Sequence, residues 1–171
     1  MHKDAVVSWG ARAVRGMAIG VLLGAASPAL GQELIGELQA EVVNFEWTMQ
    51  AIANDAELCD GLVSELLEKI DRSASVGERK LYKDYLKTAR RCAATTNQVI
   101  RDGVALNRRC SSVLNDLRDV NDAPAGSNAA RRRGAVRKAA SGCVTGFGKW
   151  KAQVEDLKEV LNVAMDIMRS T

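Results

Sequence analysis

Past the first few residues the chain has no histidine: its one imidazole is His2, so no general base, no His metal ligand and no haem-attachment sequence C-x-x-C-H is available downstream. No G-x-S-x-G elbow, phosphate-binding loop or dinucleotide fingerprint occurs either. The period-two alternation that a β-strand needs is missing throughout. The four cysteines include no pair two to four residues apart, which argues against a zinc site, and no metal or cofactor is expected. What is present is 171 residues, 47% hydrophobic and 26% charged, a composition suited to one globular domain and not to a disordered or collagen-like chain.

The first 31 residues read as an address. Lys3, Arg12 and Arg15 precede a small or apolar stretch from Gly16 to Ala26, followed by Ser27 and Pro28. This is the pattern of a secretory signal peptide. The apolar run covers about 11 residues, whereas a membrane span takes about 20. Ala29 and Gly31 suit the two small positions before a cut, leaving Gln32 as the first mature residue; Ser27 with Ala29 would move the cut two residues earlier. A leader rich in Ala, Gly and Arg points to a bacterial source and a periplasmic or secreted destination, with no transmembrane segment in the mature chain.

Without the leader the net charge falls from +3 to +1, and what remains is segregated. Residues 32–71 hold ten acids and one base, residues 72–171 twenty bases and ten acids. The two parts attract each other, so the basic part does not by itself identify a nucleic-acid binder.

From Ile35 the apolar positions recur at alternating spacings of three and four through Leu38, Phe45, Ile52, Cys59 and Leu66 to Ile70. A second such string runs from Tyr82 to Val120 and a third from Val136 to Met168. These are coiled-coil seams, and they predict three helices over about 32–72, 76–121 and 128–170 in a single domain, 32–171. Ser75 with Glu78 forms a capping-box signature between the first two, and Pro124, Gly126, Ser127 and Asn128 punctuate the second gap. Short connections make antiparallel neighbours. The expected fold is all-α: an elongated antiparallel three-helix bundle, a rod about 60 Å long.

Cys59, Cys92, Cys110 and Cys143 all lie on the seams. Cys92 and Cys110 share a helix and stand 18 residues apart, about 27 Å, so they cannot bond to each other. The midpoint of Cys59 and Cys92 falls at 75.5, inside the first turn, and that of Cys110 and Cys143 at 126.5, inside the second. The crossed pairing would leave partners more than about 20 Å apart in height. Bridges Cys59–Cys92 and Cys110–Cys143 follow, each worth about 3–4 kcal/mol on the chain-entropy account. The same register stacks Phe45, Leu106 and Phe147 in one layer, Ile52, Val99 and Val154 in the next, and sets Gly103 opposite Trp150. Gly142, Gly146 and Gly148 in the third seam are expected to mark close backbone approach beside the second bridge, with a kink as the rival.

Two surface features compete for function. Arg131, Arg132 and Arg133 open the third helix, where the macrodipole favours acids, and Arg137 and Lys138 extend the run. Either it meets an anionic partner, or Asp116, Asp119, Asp122, Glu33 and Glu37 neutralise it locally. No aromatic residue interleaves the run, which disfavours single-stranded nucleic acid. The second feature is Trp47, two positions past Phe45, with Val43 one turn back and Gln50 beyond. Either Trp47 folds down over a neighbouring helix, or this weakly charged strip binds a partner or another copy. Of the carboxylates Asp55, Glu57, Asp60, Glu65 and Glu68, most lie off the seam, where they are expected to stay solvated with ordinary pKa values, so the protein reads as non-catalytic. The expected function is that of an exported structural or protein-interaction module: an adaptor, a chaperone-like protein or a component of an envelope or secretion complex. The alternative is a polyanion- or membrane-surface-binding protein acting through Arg131–Arg133.

Overall fold

A computed structural model describes residues 28–170. The expected leader lies outside the described residues up to residue 27. Three helices account for almost everything described: α1 (Pro28–Arg72), α2 (Val76–Asp122) and α3 (Asn128–Ser170). No strand occurs among the described residues. α1 begins four residues before its expected start, with Pro28 in the first turn, where a missing N–H is of no consequence. At 43–47 residues the helices are about 65–70 Å long, somewhat more than the expected rod.

The turns form as the punctuation implies, with one difference. The Ser75 hydroxyl accepts from the Glu78 N–H at 3.4 Å, capping α2. The Glu78 carboxylate accepts from the Ser73 hydroxyl at 3.2 Å in place of the reciprocal bond that a capping box would make. At the second turn the residue before Pro124 is extended, Gly126 takes φ +81°, and the Ser127 hydroxyl accepts from the Ala130 N–H at 3.1 Å.

α2 is the central helix. It packs along both neighbours, whereas α1 and α3 touch each other less. Both disulfides run to it, Cys59–Cys92 with Cα atoms 5.7 Å apart and Cys110–Cys143 with Cα atoms 5.6 Å apart. The layers follow the same register: the Phe45 ring lies 6.2 Å from Phe147 and 5.1 Å from Trp150. Trp150 donates its indole N–H to the Val99 carbonyl at 2.9 Å. That carbonyl is reachable because Gly103, one turn on, has no side chain; a Cβ there would stand 2.7 Å from the indole.

The buried core is wider than the strict seams. Leu62, Leu86, Leu114 and Ile167 are all inside, each one position off its string. Around them the core divides into a large cluster holding Phe45, Phe147 and Trp150 and a smaller one around the Cys59–Cys92 bridge. Of the three glycines expected at a close backbone approach, only Gly146 meets anything, and that is a side chain. A Cβ on Gly146 would stand 2.9 Å from Leu106, but Gly142 and Gly148 face open space, and α3 runs unbroken through all three.

These environments predict opposite effects for two similar substitutions. Gly103→Ala drives a methyl into Trp150 and lowers stability by about 1–3 kcal/mol. Gly148→Ala meets nothing and raises it by about 0.5–1 kcal/mol. Urea denaturation of both variants checks the contrast, and equal shifts would contradict the Gly103–Trp150 contact.

Candidate functional site

The arginine run at the start of α3 divides into residues the fold uses and residues it leaves in water. Arg133 reaches back across the turn: its Nε donates to the Val120 carbonyl at 2.9 Å and its Nη2 to the Ala123 carbonyl at 3.1 Å. These acceptors lie at the end of α2, where carbonyls have no intrahelical partner and the last turn has no base of its own. Arg133 therefore caps α2. Arg132 lies 3.5 Å from Asp116 across the same junction, an exposed pair of small energetic weight. Arg137 is half-buried, its guanidinium beside Gly31 and the Asn121 side chain, while its Nε has no acceptor. Arg131 and Lys138 are exposed. A bare base-free last turn in α2 was the sequence signal for Arg133, because some cation had to come from elsewhere.

The outward face of α1 is built differently. Leu38, Phe45, Ile52, Cys59 and Leu66 point into the rod, which sends Trp47 in the opposite direction. Trp47 is 79% exposed and Val43 is 54% exposed. The indole is not folded over a neighbouring helix. Gln50 is exposed beside them and donates to Asn54 Oδ1 at 3.3 Å. From Ala40 to Asn54 the outward positions carry no charge, over about 21 Å of helix. Glu46 lies on the flank, and Glu41, on the inner side, has Lys151 Nζ of α3 2.6 Å from Oε2. Farther along, Leu58 is 48% exposed.

Between α1 and α3, where contact is thinnest, a groove of about 270 Å³ is lined by Leu58, Leu161, Ala164 and Met165, with Asp55 and Lys158 at its rim. Lys158 is held by Glu155 at 2.8 Å. Asp55 departs from the expectation of an ordinary carboxylate: partial burial against the apolar groove wall raises its pKa. No group of three or more His, Cys, Asp or Glu residues able to hold a metal occurs among the described residues. No helix among them is long and apolar enough to cross a membrane.

Comparison with protein-family models, with curated proteins and with solved structures finds no match to this chain.

Arg133→Ala strips the cap from α2 and lowers stability by about 1–2 kcal/mol, whereas Arg131→Ala stays within about 0.5 kcal/mol of the parent. Parallel urea titrations decide this, and equal costs would contradict the capping role. For Asp55 the fold disfavours the ionised form, so the penalty is fully present above the raised folded pKa and vanishes below the unfolded one. Asp55→Asn should thus stabilise the protein at neutral pH, with the gain fading as pH falls through the carboxylate range. A gain independent of pH would contradict the burial effect.

Proposed function

We propose that this chain is an exported, non-catalytic protein-interaction module, a rigid helical rod that docks a protein partner through the outward face of α1 around Trp47. The observation that carries this reading is the 79% exposure of Trp47 at the centre of an uncharged strip. Tryptophan is among the residues that most often dominate binding energy at protein interfaces. A strip that holds Val43 and Trp47 out in water gains nothing from folding, and a docked partner supplies the missing contact.

Export is supported by the leader-like start of the sequence and by two disulfides, which persist in oxidising compartments. Roles such as an adaptor, a chaperone-like protein or an envelope or secretion-complex component all suit a stiff rod with one sticky face. The alternative, an anionic surface bound through Arg131–Arg133, has less to recommend it, because Arg133 is spent on α2 and Arg132 is paired with Asp116.

A photoreactive residue placed at Asn44, beside the intact Trp47, tests the reading in the native host. A discrete heavier product that contains a second protein, and that disappears in the Trp47→Ala background, is expected. The same residue at the exposed Lys149 of α3 should give none. Absence of any product from Asn44 overturns docking through α1. Recovery of the mature protein from the cytoplasm with free thiols overturns export.

A further inference from the structure

We infer that the occupant of the α1 face is a helical segment of a partner protein whose apolar side runs about four turns and is bracketed by Lys or Arg at both ends. This rests on the docking reading above and adds the chemistry of the partner. Carboxylates frame the uncharged strip: Glu33 and Glu37 precede it and Glu57 follows it, Glu37 and Glu57 at opposite edges of the outward side, while Glu65 and Glu68 farther on are paired with Lys69 and Arg72 of the same helix. All five are exposed. Glu37 and Glu57 lie 20 residues apart, about 30 Å along the axis. A segment that lays apolar side chains along Ala40–Asn54 therefore reaches acid at each end, and cations there complete the match.

The backbone of α1 limits the shape of the occupant. Its N–H and C=O groups are bonded within the helix, so it offers no edge for an added strand, and an extended chain would bury its own polar backbone unpaired. A helix brings its backbone already satisfied and packs side chains against side chains at 8–10 Å between axes, a separation of about the usual size. The small side chains Ala40 and Ala51 flank Trp47 and leave recesses for the knobs of such a partner, while the indole fills a recess in return.

The same charges argue against two other occupants. In an antiparallel pairing of two copies about Trp47, Glu37 meets the partner's Glu57, since both lie ten residues from the tryptophan; in a parallel pairing every carboxylate faces its own equivalent. An anionic lipid surface meets acid at both ends of the strip.

The test uses the oxidised protein and three dye-labelled synthetic amphipathic helices that share a Leu/Ala face of four turns. One carries Lys at both ends, one carries Glu at both ends, and one carries its Lys in the middle of the apolar face. Fluorescence anisotropy should show the Lys-ended peptide binding about tenfold tighter than either of the others at low salt. Trp47→Ala should abolish binding. Glu37→Gln with Glu57→Gln should bring the Lys-ended and Glu-ended peptides close to parity without changing helicity by circular dichroism, because all three residues are exposed.

Equal binding of the Lys-ended and Glu-ended peptides, or a preference indifferent to the Gln variants, overturns the inference. So does a sedimenting dimer lost in Trp47→Ala, which would make a second copy the occupant. If no peptide binds while the Asn44 crosslink persists, the partner chemistry is wrong and the docking face stands. If the crosslink is also absent, the docking face itself falls.

Discussion

The rod depends on two covalent ties to one helix. α2 carries Cys92 near one end of the packed region and Cys110 toward the other, and each is bridged to a different neighbour at the same height. A three-helix seam without such ties can slide by one heptad and still bury apolar residues, because every heptad presents similar side chains. The bridges remove that freedom. With the register fixed, Phe45 meets Phe147 and Trp150, and Trp150 sits on the one α2 position that lacks a side chain. A slip of one heptad would put the indole against a residue with a Cβ and leave its N–H without the Val99 carbonyl.

The bridges, the turns and the helix limits other than the start of α1 were legible because each follows from local chemistry or from simple geometry. Spacing of three and four fixes helices, midpoints between cysteines fix the fold-backs, and Ser75, Ser127 and Gly126 fix the ends. The width of the core was not legible. A strict seam counts two positions per heptad, as in a two-stranded coil, but a helix with two neighbours buries a third, which brings in Leu62, Leu86, Leu114 and Ile167. The glycines misled for a related reason. Spacing alone does not say which side of α3 faces α2, and only Gly146 does so closely enough for its missing side chain to matter.

The candidate surfaces were legible as residues but not as roles. Arg131, Arg132 and Arg133 are adjacent in sequence, yet successive residues on a helix point about 100° apart, so one faces the end of α2, one faces Asp116 and one faces water. Composition had made them a cluster; the helix separates them. Asp55 shows the same limit in reverse. Its environment is set by the thin contact between α1 and α3, a tertiary feature that the sequence of α1 does not contain.

The contrast between two tryptophans bears most directly on function. Trp150 is 3% exposed, with its ring tilted against Phe45 and its N–H bonded, whereas Trp47 is 79% exposed on the same rod. Packing explains the first completely. For the second, folding is indifferent: an outward position on a slender bundle is stable with any helix-forming side chain, and glutamates occupy such positions farther along the same face. Exposed glutamates at Glu33, Glu37, Glu57, Glu65 and Glu68 show that the face accepts charge before and after the strip. The charge stops at Glu37, resumes at Glu57, and the gap between them centres on the largest apolar side chain available. On the docking reading proposed above, a partner supplies the constraint that folding does not impose, and a surface uncharged in its middle with acid toward both ends is the complement of an apolar segment with cations at its ends.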